Sequence, residues 1–442
     1  MNVFAPCVFT TRGLFVAAAF SFIIIPATQV VAQCPPGAWS ALGSGASSNV
    51  NAVTTLNTDI YAGGTFTTCG GLPANRIARW DGTAWHTLGT GMNNQVYAVH
   101  IWNGDLIAGG VFTTAGGVAA HFVARWDTQL GAWNDMGGGM NSNVYSLATW
   151  NGDLYAAGAF SGASGQLALG MARWDGTAWH ALGTGGVPGP ANVGVVALVP
   201  WNGDLVAGGT FSTIGSVNGV GGVSANNIAR WDGTTWHALG AGLNSTVDCL
   251  AVLPNGDLVA GGSFTTADEA AANHIARWNG TSWSALGAGA NADVKALAVL
   301  GSGDLIVGGL FTSAGGQAES YIARWDGTTW TGVGNGTGGG VLALAALGGN
   351  DFAAGGGFGT VGTSPPIAAA YIARWSQPLC TCNPDFNNDG DVGTDSDIEA
   401  YFACLAGNCC ATCGSADFNG DGDIGTDQDI ESFFRVLAGG PC

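Results

Sequence analysis

The chain has 442 residues, 76 of them glycine, and its 30 acidic residues outnumber its 11 basic ones for a formal charge of −19. That balance argues against nucleic acid and acidic membrane surfaces as partners and suits a soluble protein that attracts cations. The length provides for a large core and more than one domain.

In chain order, residues 1–32 read as a secretion signal. Arg12 gives a positive start, Leu14 to Ile25 is an apolar run, and Val30, Val31 and Ala32 precede a plausible cleavage point. The run is short for a membrane span, and no later segment has the length and polarity of a membrane helix. A lipoprotein reading would lipidate Cys34, but Gln33 fits poorly just before it. A secreted, extracellular or cell-surface location is therefore expected, and export permits disulfides. Beyond Cys7 in the signal, seven cysteines (Cys380, Cys382, Cys404, Cys409, Cys410, Cys413, Cys442) crowd the tail. Only Cys34, Cys69 and Cys249 precede them. The contrast divides the mature chain into residues 33–377 and residues 378–442.

The first domain is a repeat. Ala-Arg-Trp recurs seven times, with tryptophans at Trp80, Trp126, Trp174, Trp231, Trp278, Trp325 and Trp375. A second tryptophan usually follows across Asp-Gly-Thr, giving the column Trp85, Trp133, Trp179, Trp236, Trp283 and Trp330. Upstream lies Asn103-Gly104-Asp105-Leu106-Ile107-Ala108-Gly109-Gly110-Val111-Phe112, with copies in every unit. Each unit reads as four strands, exemplified by Val96 to Ile101, Leu106 to Phe112, Phe122 to Trp126 and the run through Trp133. Asn-Gly between apolar runs favours a tight hairpin, because both turn residues must accept positive φ. Four strands in about 47 residues predict an all-β propeller blade.

The ends imply closure. The seventh Ala-Arg-Trp lacks a fourth strand and runs into Ser376-Gln377-Pro378. The mature N-terminus supplies an orphan one, Gly37-Ala38-Trp39-Ser40-Ala41-Leu42-Gly43. The expectation is a seven-bladed β-propeller of four-stranded blades closed by the N-terminal strand, which removes two aggregation-prone sheet edges. A linear solenoid has no need of such complementary ends.

The Gly-Gly after the second strand resembles kelch-type and galactose-oxidase-like propellers, and the combination of Ala-Gly-Gly-x-Phe, Ile-Ala-Arg-Trp and Trp-x-x-Leu-Gly over residues 37–376 resembles the propeller repeats of fungal cortical-marker and many bacterial secreted proteins. It departs from kelch in the Tyr-to-Trp spacing and from the WD type in lacking Gly-His.

The repeated residues read as packing. Trp102, Trp150 and Trp201 occur in three successive units only, which makes them the more open candidates for a sugar platform, although packing is favoured there too. Seven arginines (Arg79, Arg125, Arg173, Arg230, Arg277, Arg324, Arg374) face seven hairpin aspartates (Asp59, Asp105, Asp153, Asp204, Asp257, Asp304, Asp351). One Arg–Asp pair per blade is expected, within a blade or between neighbours, since the guanidinium fork bonds a carboxylate twice; an anion-binding ring is the functional alternative. His86, His180 and His237 share one position a whole unit apart and cannot converge on one metal. No histidine has metal spacing and no nucleophile elbow is present, so no active site is expected. The longest unit owes its length to Gly183 to Gly194 and Thr213 to Asn226, connections that open on the same face of a propeller. Binding of a protein partner or a glycan is expected there.

In the tail, Asp385-Phe386-Asn387-Asn388-Asp389-Gly390-Asp391 is repeated as Asp417-Phe418-Asn419-Gly420-Asp421-Gly422-Asp423. Calcium takes six to eight oxygens, which alternating side chains of a turning loop deliver. The ligands of two Ca²⁺ sites are read as Asp385, Asn387, Asp389, Asp391 and Asp397, then Asp417, Asn419, Asp421, Asp423 and Asp429. Asp391 and Asp423 give carbonyls. The loop ends are the least fixed, because Ser396 and Gln428 hold the usual acidic position and Asp397 and Asp429 follow one residue later. The duplication resembles dockerin modules, paired EF-hand-like loops of exported bacterial proteins, whose partner is a cohesin domain. Helices are expected from Ile398 to Leu405 and from Ile430 to Leu437, making this a small α-helical domain. Disulfide pairing stays open, and zinc is the alternative to disulfides for this cysteine density.

These readings combine into a secreted, non-enzymatic binding or scaffold protein whose propeller presents a loop face and whose calcium-dependent tail docks or anchors it. A carbohydrate-binding or polysaccharide-degrading propeller is the alternative, and a structural surface-layer component the third.

Overall fold

The computed structural model describes residues 37–182, 194–215, 222–362, 365–377, 398–402 and 430–434. The repeat forms seven four-stranded antiparallel sheets. Blade 2 is representative, with strands Val96–Trp102, Asp105–Gly110, Val123–Asp127 and Ala132–Asp135. Strand bounds differ slightly from expectation. The first two strands extend to the Trp102–Asp105 pair, and Phe112 falls beyond the second, where it is fully buried. The hairpin turn is the expected one: Asn103 and Gly104 have φ of 51° and 84°.

Blade 7 is assembled from both ends of the domain. Val341–Gly348, Asp351–Gly356 and Ile372–Ser376 are completed by Ala38–Ala41, in which Trp39 lies opposite Trp375. Each first strand packs against the first strand of the next blade, and Val341–Gly348 packs back onto Val50–Leu56. The ring is therefore closed, and the solenoid alternative fails.

Gly-Gly is explained by how blades stack. A β-carbon on Gly63 would stand 2.5 Å from a methyl of Val96 in the next blade, and one on Gly308 would stand equally close to Val341. The same contact joins Gly355 to Val50 across the closure at 2.6 Å. The first glycine is thus a socket for the neighbour's valine in six blades; blade 3 holds Ala157 there, in one core cluster with Val195 of blade 4, so the position takes nothing larger than a methyl without the blades shifting.

The tryptophan columns weld the blades. The two indoles of a blade pack tilted at about 5.3–5.5 Å, as in the Trp80–Trp85 and Trp325–Trp330 pairs. In six of the seven blades the second indole then donates to the preceding blade, as in Trp85 Nε1 to Leu42 O at 2.7 Å, Trp133 to Leu88 O and Trp179 to Met136 O, while the buried Trp236 Nε1 meets no acceptor among the described residues. Those acceptors belong to the Trp-x-x-Leu-Gly phrase or its variant, so one motif serves two blades. Trp102, Trp150 and Trp201 are also buried and donate to Gly152, Gly203 and Gly256 of the following blade's first turn. They are packing residues.

One feature of every unit is absent from the expectation. Between the second and third strands lies a two-stranded hairpin, such as Thr68–Cys69 with Leu72–Pro73, or Gly162–Ala163 with Gln166–Leu167. In six blades a residue of the connection entering the first strand bridges to this hairpin, for example Ala46 to Cys69 and Met92 to Ala115. The two kinds of connection share one face, as expected; this is the loop face. The tight Asn-Gly and Asp-Gly turns occupy the opposite, turn face. Of the long segment in blade 4, residues 183–193 and 216–221 lie outside the described residues.

Cys69 and Cys249 are free thiols. Burial pushes the Cys69 thiol up to about 12, which makes it unreactive.

In the tail, residues 398–402 and 430–434 are helical, matching the starts of the two expected helices. Tyr401 stacks on Phe433 with centroids 4.0 Å apart, and Phe402 lies 6.1 Å from Phe434. These are equivalent residues of the duplicated halves.

Candidate functional site

All ten expected calcium ligands, the signal segment and the tail cysteines lie outside the described residues. Among the described residues no three His, Cys, Asp or Glu side chains gather as a metal site, and no helix is long and apolar enough to cross a membrane.

The turn face is uniform. All seven Arg–Asp pairs form, and each lies within its own blade. Arg79 reaches Asp59 at 2.8 Å and Arg173 reaches Asp153 at 2.8 Å, while Arg125 stands off Asp105 at 3.6 Å. With each guanidinium already matched to a carboxylate, an anion-binding ring is not what these residues build. His86, His180 and His237 each bond the aspartate of their own Asp-Gly-Thr turn, at 2.6–2.7 Å. Asp81 shows why. Its carboxylate accepts from the Ala84 and Thr83 amides, the Thr83 hydroxyl and His86, and these bonds hold it well below the usual carboxylate range.

The loop face varies, and its centre varies most. The start of every first strand carries a β-bulge, between Val50 and Ala52 in blade 1 and at the equivalent place in the other six. A bulge inserts one residue outside the ladder and re-aims its side chain. Around the ring the inserted residues are Asn51, Tyr97, Tyr145, Val196, Asp248, Lys295 and Leu342, all half-buried. Flanking positions are nearly constant: valine precedes each, and alanine, serine or cysteine follows. Because the seven first strands form the inner ring, these side chains surround the mouth of its axis on the loop face.

Neighbours in this ring touch. Tyr97 and Tyr145 have ring centroids 5.6 Å apart. Tyr97 donates to Gln95 Oε1 at 2.7 Å, and Asn143 donates to the Tyr145 hydroxyl at 3.1 Å. Asn51 donates to Val96 O of the next blade. Further round, Lys295 Nζ sits 2.8 Å from Asp248 and 3.0 Å from Asp293. Burial pushes the Asp248 carboxyl up, Lys295 pulls it down, and Asp293 raises it again, for a net upward shift. Burial pulls Lys295 down, yet its bonds to the two aspartates outweigh that and hold it above the ordinary lysine value. The trio carries one net negative charge.

On the loop face, Asp268 of the blade 5 hairpin accepts from the Ala241 amide at 2.6 Å and ties that hairpin to the connection entering the blade. Glu269 shares the hairpin turn, and Glu319 follows another hairpin. Sequence reasoning missed Asp248, Asp293 and Lys295. Their signal is visible once first strands are aligned on their valine, because only then does one column hold a tyrosine, an aspartate and a lysine.

The loop face also carries a groove of about 560 Å³ between blades 2 and 3, lined by His121, Met140, Gln166 and Leu167 among others. Exposed apolar residues recur on its hairpins: Leu72, Val118, Leu167 and Ile367 in four successive blades, 7, 1, 2 and 3.

Neither a family model nor a curated protein matches the sequence. Among solved structures, the chain is similar to the WD40 β-propeller domain of Doa1, at 12% identity and a TM-score of 0.48, covering 77% of this chain and 97% of that one. It is similar to the computationally designed Ika8 protein at 17% identity and a TM-score of 0.44, covering 75% and 98%. It is similar to the extracellular domain assigned to the hybrid two component system BT3049 of B. thetaiotaomicron at 11% identity and a TM-score of 0.49, covering 77% and 42%. These are likenesses of fold, and the seven-bladed architecture itself rests on the strand pairing described above.

Proposed function

We propose that the chain is an exported, non-enzymatic binding and scaffold protein that engages its partner through the loop face of the propeller. One observation carries this reading: a seven-fold frame that is near-uniform elsewhere gathers its variation at the loop face and its channel mouth. Gln377 follows the last strand of blade 7, and its amide bonds Asp351 at the turn face. Asp248 and Asp293 are both bound to Lys295, an arrangement that suits recognition better than acid–base catalysis.

The tail is proposed to be a dockerin-like module with two Ca²⁺ sites, at Asp385, Asn387, Asp389, Asp391 and Asp397 and at Asp417, Asn419, Asp421, Asp423 and Asp429, docking a cohesin-like domain. The stacking of Tyr401 on Phe433 supports a duplicated, paired arrangement. Melting the full chain in calcium and in chelator tests it, because calcium bound only to the folded tail must raise its transition; superimposable curves reject the claim.

For the face, Val118→Arg and Leu167→Arg on the hairpins are compared with Thr83→Arg on the turn face, reading partner capture on a glycan and protein array. Loss from the hairpin variants alone is the expected result. Loss from Thr83→Arg alone would move the site to the other side of the disc.

A further inference from the structure

We propose that the bulge ring at the channel mouth is a binding site for a neutral saccharide unit, with Tyr97 and Tyr145 as its stacking wall and Asp248 and Asp293 as its hydroxyl acceptors. The inference rests on the loop-face reading above and gives it a ligand class.

The ring order places the two tyrosines in blades 2 and 3 and the charged residues in blades 5 and 6. The two arcs are separated by Val196 on one side and by Leu342 and Asn51 on the other. An aromatic arc thus faces a polar arc across the axis. Bulged positions add nothing to the ladder, so a uniform frame has no structural demand for tyrosine at two of them and an Asp–Lys pair at two more.

Charge and hydrogen bonding select among ligands. An anion would meet Asp248 and Asp293, which outnumber Lys295. A cation would have to displace Lys295 from both carboxylates, at 2.8 and 3.0 Å. A wholly apolar ligand would cover half-buried carboxylates and amides and leave them without water, which costs more than its contacts return. A neutral ring bearing hydroxyls satisfies both arcs. Its C–H face lies on the tyrosines, and its hydroxyls donate to carboxylate oxygens that have lone pairs beyond the one shared with lysine. The Tyr145 hydroxyl accepts from Asn143 and keeps its own proton for a ligand oxygen. Lys295 then acts as a positioning residue that fixes both aspartates.

The test uses the full chain in calcium, titrated calorimetrically with three neutral disaccharides: cellobiose, xylobiose and mannobiose. At least one is expected to bind with a Kd of roughly 1 mM or tighter. Tyr97→Ala and Tyr145→Ala should each weaken it by about tenfold, with Tyr97→Phe nearly unchanged, since stacking outlasts the hydroxyl. Asp248→Asn should weaken it several-fold, and Thr83→Arg on the turn face should leave it alone. Should an alanine variant fail to fold, Tyr97→Phe and Asp248→Asn still decide the matter. Binding that survives Tyr97→Ala and Asp248→Asn but is lost in Leu167→Arg overturns the mouth site while leaving the loop face intact. Failure of all three sugars to bind overturns the ligand class, and the hairpin variants above then judge the loop-face reading independently.

Discussion

The two faces of the disc are made by the same seven units, yet they obey different rules. On the turn face each blade repeats one Arg–Asp pair, and six of the seven blades add an Asp- or Asn-headed third-to-fourth turn; where a histidine appears, it is tied to its own turn. On the loop face the bulges hold six residue types in seven places, and the connections differ in length. Uniform positions carry the packing repeated from blade to blade, whereas the varied positions make contacts that differ from one junction to the next. The contrast predicts that stability lives in the repeated columns and recognition in the bulge column.

The closure is the strongest way to challenge that division. Trp39 is buried against Trp375 and Phe352 at 5.3 and 5.6 Å, and it is the only strand of blade 7 that arrives from the far end of the domain. Trp39→Ala should cost about 3–5 kcal/mol, the range for truncating a large buried aromatic. A chemical denaturation midpoint indistinguishable from wild type would show that the ring holds without its clasp.

His100 sharpens the rule, because it is a polar residue in the inner strand of the frame. It bonds Thr149 of the next blade at 2.8 Å, and burial pulls it down to about 4. A depressed histidine is neutral in the fold but charged in the unfolded chain between its ordinary value and 4. Its stabilising share is therefore full above the ordinary value and lost as pH falls through 4, amounting to about 3 kcal/mol. Blade 4 has Val199 at this position, so His100→Val should fold. The difference in melting temperature between the two proteins should shrink or reverse from pH 7 to pH 4. A difference independent of pH would place the imidazole in water.

The Arg–Asp pairs come next. Arg324→Ala leaves Asp304, whose side chain is only 9% exposed, with the Ser302 hydroxyl but no cation, and should cost about 1–2 kcal/mol. Arg125→Ala breaks a 3.6 Å contact with a more exposed aspartate and should cost less than about 1 kcal/mol. Thermal melts that rank the two in reverse would mean that packing of the arginine stems, not the ion pair, is what the column provides.

What was legible in the sequence follows the same division. Seven copies amplify every column the frame needs, so Ala-Arg-Trp, the Asn-Gly turns, the Asp partners and the Trp39 clasp could all be read from spacing. The loop-face hairpins could not, because strands of two residues such as Thr68–Cys69 have no alternation to detect. Nor could the bulges. An inserted residue between Val96 and Ala98 leaves the apolar pattern intact, and its consequence appears only when Tyr97 meets Tyr145, nearly fifty residues away. The channel mouth was hidden because repetition advertises what is constant, and this column is the one that is not.

That leaves the smallest effect, which is the most discriminating. Leu342 is half-buried in the bulge of blade 7, and Val341 beside it is the residue seated in the socket of Gly308. Leu342→Ala removes apolar surface that already meets solvent and touches no ladder bond, so it should cost no more than about 0.5–1 kcal/mol. Val341→Ala, one residue earlier, empties a contact made at every blade junction and should cost clearly more, at about 1–2.5 kcal/mol. Adjacent residues of one strand, similar in size and chemistry, are thus expected to differ by their column alone. Equal losses in matched denaturant titrations would mean that the bulge residues are part of the core, and with that the argument that their variety reflects a ligand would have no ground to stand on.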